Sequence, residues 1–269
     1  MESEVLYLYG ITAEGQRLPE VASTSLFAIS DSKLSAIVER VSAEEFSPEV
    51  LEVKLQSVAW IAVVARKHQD VLQSAMRSGA VIPAQLCTLF SHADAVRQSL
   101  AANAEQFLDT LGRLDGRQEW GVKIFVDETK VCVTNAKLQA LEASAQTASP
   151  GYAFVLTKQC DALRAALCSA RIDEIVDDIV GLLDNLPLEV RFKAILPAAA
   201  TGRSETMILN AAVLVSDEGH KSLMSELDQL AATLQSDGVE FELSGPWPPY
   251  SFCGEEDDED EDSTDPVEV

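Results

Sequence analysis

Apolar and polar positions along the chain fall into segments whose periods indicate their secondary structure. Val5 to Ile11 is a nearly continuous apolar run of strand length, and Leu26 to Ser30 and Lys33 to Val41 follow as strands joined by a turn at Asp31-Ser32. A helix is predicted to begin at Ser47-Pro48-Glu49, where a hydroxyl caps free amides, proline supplies the φ of the first turn and a carboxylate meets the positive dipole end. It is expected to run to about Arg77 and stop at Ser78-Gly79, with Leu51, Leu55, Val58, Ala62 and Ala65 on one buried face. Val81-Ile82-Pro83 reads as a short edge strand or extended link. A second helix, opened by the capping-box spacing of Ser91 and Asp94, carries Val96, Leu100, Phe107, Leu111 and Leu114 and ends at Asp115-Gly116.

The second half alternates more clearly. Trp120, Val122, Ile124 and Val126 mark one strand, and Leu188, Val190, Phe192 and Ala194 mark another. Met207 to Val215 is apolar enough for a central strand, and Val239, Phe241 and Leu243 form an amphipathic last one. Between them lie a long helical region from Leu163 to Leu186, ended by Pro187, and a shorter helix with Leu223, Leu227, Leu230 and Leu234, stopped by Asp237-Gly238. The order βαββαβ is that of the ferredoxin-like split βαβ plan, with an added helix and loop at Asn135 to Pro150. The fold class expected is therefore α+β in two domains. An N-terminal domain, 1–117, holds a small antiparallel sheet with helices, a ferredoxin-like domain spans 118–253, and a tail spans 254–269.

Composition changes this picture mainly at the end of the chain. With 47% apolar and 24% charged residues the body is that of a globular protein. Residues 255–269 contribute ten of the negative charges in the formal −24 and no positive one, which leaves −14 on the rest. The tail therefore has the composition of a disordered, solubilising segment. An acidic body repels phosphate backbones, so nucleic acid is not an expected partner. The start at Met1-Glu2-Ser3-Glu4 lacks the pattern of a secretory signal, and the apolar window Val58 to Ala65 falls far short of the roughly 20 residues that span a bilayer. The expected location is cytoplasmic, without membrane attachment. Five cysteines, Cys87, Cys132, Cys160, Cys168 and Cys253, include no Cys-x-x-Cys pair and suit reduced thiols.

Candidate chemistry is sparse. His68, His92 and His220 lie in different elements without a second ligand at metal spacing, and they read as surface or capping residues. Cys160 and Cys168 are separated by about 12 Å along one helix, too far for a shared metal or a disulfide, and read as core residues. Gly112 and Gly116 lack the strand and helix that a phosphate loop requires. Asp173-Glu174 and Asp177-Asp178 read as a solvated helix face. No catalytic residue, metal site or cofactor is assigned, and the expectation is a protein that is not an enzyme.

The segment after the last strand is the most informative. In Gly245-Pro246-Trp247-Pro248-Pro249-Tyr250-Ser251-Phe252, three prolines are expected to keep the segment from continuing the sheet ladder and to hold it extended, while Trp247, Tyr250 and Phe252 offer large apolar surfaces. Pro246, Trp247, Pro248, Pro249, Tyr250 and Phe252 form either a cover that closes their own domain or an anchor for a partner. The segment resembles the closing motif of the gas vesicle protein F/L family. Leu6-Tyr7-Leu8-Tyr9-Gly10-Ile11, the block from His68 to Phe90 with Ala80-Val81-Ile82-Pro83, Glu119-Trp120-Gly121-Val122-Lys123 and Leu209-Asn210-Ala211-Ala212 are similar to family blocks in the same order. Where the family usually reads Phe-Gly-Thr after the Ile-Pro step, this chain has Leu86-Cys87-Thr88, and a glycine would turn there more easily.

The resemblance implies a minor, non-catalytic gas vesicle protein, associated with gas vesicles in the cytoplasm. It would bind the main hydrophobic shell subunit, and other accessory proteins, during nucleation and assembly. A soluble, strongly charged partner could keep an apolar shell subunit from aggregating. A ferredoxin-like module that binds a small ligand or regulates is the alternative, on fold analogy alone.

Overall fold

The computed structural model describes residues 4–22, 24–131 and 135–254. Cys132 and the acidic stretch 255–269 lie outside the described residues. The described chain forms two compact units, one reaching Gly116 and resuming at Pro248, the other spanning Arg117–Trp247. The sequence reading grouped 248–253 with the second half. The chain instead returns them to the first unit, where the Arg113 guanidinium donates to the Phe252 carbonyl.

In the first unit β1 (Glu4–Ala13), β2 (Leu26–Asp31), β3 (Leu34–Ser42), β4 (Ile82–Pro83) and β5 (Leu89–Phe90) form an antiparallel sheet in the order β2-β3-β1-β4, with β5 also on β1. The β2–β3 turn is at Ser32-Lys33, one residue beyond the expected place. Both take positive φ, 52° and 66°, which matches the right-handed twist of a two-residue hairpin. In β1 the register shifts between Leu8 and Gly10, so Tyr9 is the extra residue of a bulge. Gly10 is required by close approach, because a Cβ there would stand 2.8 Å from the Ile82 carbonyl oxygen.

Each long helix expected in this unit is broken in two. α1 (Pro48–Lys54) is capped by Ser47 as predicted, but the chain breaks after Leu55 and restarts as α2 (Val58–Met76), where the Ser57 hydroxyl accepts the Trp60 N–H. α3 (Ala93–Ala102) and α4 (Ala104–Leu114) meet at Asn103. The cap of α3 is His92, whose Nδ1 accepts the Ala95 N–H, and not Ser91. The Ser57 and His92 side chains offer the free amides of a new helix an acceptor, whereas Asn103 makes no such cap and its side-chain amide donates back to the Ser99 carbonyl at 2.9 Å.

The buried face of α2 also differs from the one expected. His68, Val71, Leu72, Ser74 and Ala75 are its buried residues, and Val71, Leu72 and Ala75 form a core with Tyr7, Tyr9, Ile37 and Val81. Leu55, Val58 and Ala62, assigned inward from their spacing, are exposed. The inner side of the α1–α2 junction is occupied instead by Lys54, whose ammonium lies 5.3 Å from the Trp60 ring centroid and 5.9 Å from that of Phe46 and pairs with Glu45 at 3.0 Å.

The second unit runs β6 (Arg117–Val126), α5 (Ala136–Thr147), α6 (Pro150–Asp184), β7 (Glu189–Phe192), the short α7 (Ala198–Thr201), β8 (Thr206–Ser216), α8 (Asp217–Leu234) and β9 (Val239–Trp247). Its sheet order is β7-β8-β6-β9 with every neighbouring pair antiparallel. The third strand in chain order thus lies between the first and second, which is the split βαβ arrangement. Val122, Ile124 and Val126 point to one side and meet Ile175, Ile179 and Leu183 of α6 and Leu223, Leu227 and Leu234 of α8. Each such fully buried aliphatic side chain contributes about 1.5–3 kcal/mol. The added helix, α5, pairs with the first half of α6, tied by the ion pair of Arg164 with Glu142.

Candidate functional site

The first unit contains a polar cluster inside its core. Tyr7 and Tyr9 lie with ring centroids 4.8 Å apart, and the His68 ring stands 5.7 Å from Tyr7 and 5.3 Å from Tyr9. The Cys87 N–H donates to the Tyr7 hydroxyl at 3.1 Å, and that hydroxyl shares a second hydrogen bond with His68 Nδ1 at 3.0 Å, in which the ring tautomer sets the donor. His68 Nε2 is buried without a hydrogen-bond partner among the described residues. The Tyr9 hydroxyl donates to Glu39 Oε2 at 2.7 Å, and Lys67 pairs with the same oxygen at 2.7 Å.

The electrostatics of this cluster fix its protons. Burial lowers the His68 pKa to about 4, so the ring is neutral at pH 7, against the expectation of a surface histidine. Burial raises both tyrosines well above their usual range, and Glu39 adds to the shift at Tyr9. A neutral imidazole and two protonated phenols form a cross-link between β1, β3 and α2 rather than an acid–base pair poised near neutrality.

Cys87 shows how the loop after β4 is held. Its φ is +63°, the left-handed conformation that glycine enters freely, and the hydrogen bond from its N–H to Tyr7 keeps it there. Its half-buried thiol has a raised pKa, from desolvation first, which favours the unreactive form.

The closing segment divides between its two expected roles. Pro248, Pro249 and Phe252 are buried, Phe252 to 1% exposure, and they pack within the first unit. Against the expectation that the prolines end the ladder, β9 runs through Pro246 to Trp247, which pairs with Glu119 of β6 beyond a register shift; both residues are exposed on the second unit, Trp247 to 42%, and Tyr250 is exposed on the first. Trp247 Nε1 donates to the Ser244 hydroxyl at 3.2 Å, while Gly245, at φ +141°, lies so close to Trp120 that a Cβ would meet its ring at 3.0 Å. Trp120 in turn stacks on His220 at 4.0 Å, so this histidine too packs against an aromatic ring instead of standing free on the surface.

The exposed side of α1 and of the first half of α2 carries an apolar stripe beside the exposed Glu49, Glu52 and Gln56. Val53, Leu55, Val58, Ala59, Ala62 and Val63 all face solvent, Val58 at 81% and Val63 at 69%. In α2 the steps 58, 59, 62, 63 and 66 trace one helical stripe, which ends on Arg66. Monomeric surfaces seldom gather branched aliphatics this way unless something binds there.

The other candidates remain dispersed. Among the described residues no group of three or more His, Cys, Asp or Glu could hold a metal ion, and no helix is long and apolar enough to cross a membrane. Asp173, Glu174, Asp177 and Asp178 are exposed on α6, Cys160 is buried and Cys168 is half-buried against the core. A cavity of about 200 Å³ between α8 and β9 is smaller than the roughly 300–1,000 Å³ of ordinary ligand pockets.

The family described as gas vesicle synthesis protein GvpL/GvpF matches residues 5–254. The chain belongs to this family. Gas vesicle protein L of Streptomyces sp. (strain CB03234) is 28% identical over 230 residues, covering 82% of this chain and 80% of the relative. Gas vesicle protein L2 of Halobacterium salinarum is 31% identical over 195 residues, 69% of each chain. The crystal structure of GvpF from Anabaena sp. PCC7120 aligns with a TM-score of 0.63 over 94% of this chain and 97% of that one, at 20% identity, a likeness of fold.

Within the GvpL/GvpF family framework, two features of this chain escaped the sequence reading. The Tyr7–Tyr9–His68 cluster left one trace, polar rings two apart in an otherwise apolar strand. The outward stripe of α2 left none, because its period is that of a buried face and periodicity does not say which way a stripe points.

Proposed function

We propose that this GvpL/GvpF family member is a minor, non-catalytic gas vesicle protein that binds the main hydrophobic shell subunit and takes part in nucleation and assembly of the vesicle in the cytoplasm. The observation that carries this reading is the apolar stripe of α1 and α2 facing solvent on a strongly acidic chain. A shell subunit that polymerises through apolar surface aggregates when unprotected. The stripe offers it a complementary surface, and the net charge of −24 keeps the complex dispersed. The buried aromatic cluster serves this role by holding α2 firmly on the sheet. The exposed part of the closing motif, Trp247 above all, is a second contact, since partly exposed Trp side chains are frequent interface anchors.

Affinity capture on a tagged shell subunit tests the reading: the full chain is expected to be retained with it and to slow its aggregation. A shell subunit that retains a known partner but not this chain counts decisively against it. Trp247→Ala is expected to weaken capture about tenfold with the melting temperature unchanged. Unfolding of that variant would place Trp247 with the closing residues instead.

A further inference from the structure

We infer that the groove beside the outer face of α2 receives an amphipathic helix of the shell subunit, with an acidic and a basic side chain one turn apart on that helix meeting Arg66 and Asp70. The inference rests on the shell-binding reading and adds the place and chemistry of the contact. The groove has a volume of about 520 Å³, with Val21 and Ala22 on one wall and Ala62 and Val63 on the other. These four apolar side chains are bordered by Thr24, Arg66, Lys67 and Asp70, and Ala62 and Val63 belong to the α2 stripe, so the groove offers an apolar seam with a polar rim that suits an amphipathic helix.

The rim supplies the polarity. Arg66 and Asp70 both line the groove, both are exposed, and they stand one helical turn apart, with no ion pair to each other or to another of the described residues. Arg followed by Asp at this spacing is the weaker order for a pair within one helix, because each charge then opposes the helix dipole. Lys67, on the same rim, is already committed to Glu39. In a chain with 44 acidic and 20 basic residues, an arginine left unpaired beside an aliphatic groove is complementary to a carboxylate brought by the partner, and Asp70 to a base. Opposite charges bordering an apolar seam set register and partner choice in paired helices.

The test uses the full chain and the tagged shell subunit alone as probe. Val63→Asp is expected to reduce capture at least about tenfold and Arg66→Glu about threefold, the latter difference fading as salt is raised. Melting temperatures should stay at the wild-type value, since both side chains face solvent. Ala62→Glu, also exposed, replaces Val63→Asp if that variant melts early. Wild-type capture with undiminished capture by Val63→Asp and Ala62→Glu overturns the groove and leaves shell binding standing. Loss in those variants without any effect of Arg66→Glu or Asp70→Lys overturns the charge pairing. No capture by the wild-type chain removes the shell-binding reading and the groove with it.

Discussion

Helices α2 and α6 carry apolar stripes of the same period and turn them in opposite directions. On α6, Ile175, Ile179 and Leu183 are fully buried against the sheet of the second unit, and the carboxylates of Asp173, Glu174, Asp177 and Asp178 face water. On α2, Val58, Ala59, Ala62 and Val63 face water, while His68, Val71, Leu72, Ser74 and Ala75, further along the helix, are buried. An inward stripe is spent on the stability of its own domain. An outward stripe contributes little to folding and remains available to a partner. The comparison thus separates a helix buried against its own sheet from one that leaves an apolar stripe in water.

The most damaging substitution should lie on the buried side. Ile179→Ala removes a side chain with no solvent exposure and leaves a cavity beneath the sheet, so the expected loss is about 3 kcal/mol, measurable by urea titration. A loss below 1 kcal/mol would mean that α6 is not packed as described.

Acid should act on the inner face of α2. His68 has a pKa lowered from 6.5 to about 4 in the fold, so the unfolded chain binds its proton first as pH falls. Its contribution is complete above pH 6.5, declines by about 1.4 kcal/mol per pH unit below that, and levels off near pH 4, a loss of about 3 kcal/mol in all. His68→Phe should remove this part of the acid sensitivity, and stability–pH profiles of the two chains check it.

A smaller, opposite effect is expected at the loop that touches Tyr7. Cys87→Gly relieves the left-handed conformation and keeps the N–H that donates to the Tyr7 hydroxyl, so stability should rise by about 1 kcal/mol. The smallest effect belongs to the outward stripe. Val58→Asp should change stability by less than about 0.5 kcal/mol, because the side chain already stands in water. A large loss there would erase the distinction between the two helices.

Much of the second unit was legible. Val122, Ile124 and Val126 alternate as they pack, the leucines of α8 fall on its buried side, and the βαββαβ order sits in the expected antiparallel sheet. The strands of the first unit were legible for the same reason, although its hairpin turn lies one residue later. The break at Ser57 was less visible, since a capping side chain competes with propagation by only about 1 kcal/mol, and the break at Asn103 has no side-chain cap to announce it. The closing segment announced its aromatic and proline content but not its division, with Pro248, Pro249 and Phe252 buried and Trp247 and Tyr250 exposed.

By itself the sequence determined the main strands and helical regions, though not the breaks at Ser57 and Asn103, together with the sheet plan of the second half and the family. Those follow from local period, turn chemistry and motif order, which neighbouring residues carry. Only the tertiary structure decided the direction of the α2 stripe, the burial of His68 between two tyrosines and the left-handed turn at Cys87. Each depends on residues distant in the chain, as where Lys54, Trp60 and Phe46 occupy the inner side of the helix junction and leave Val58 outside. A stripe of given period can face either way, and what is packed opposite settles it.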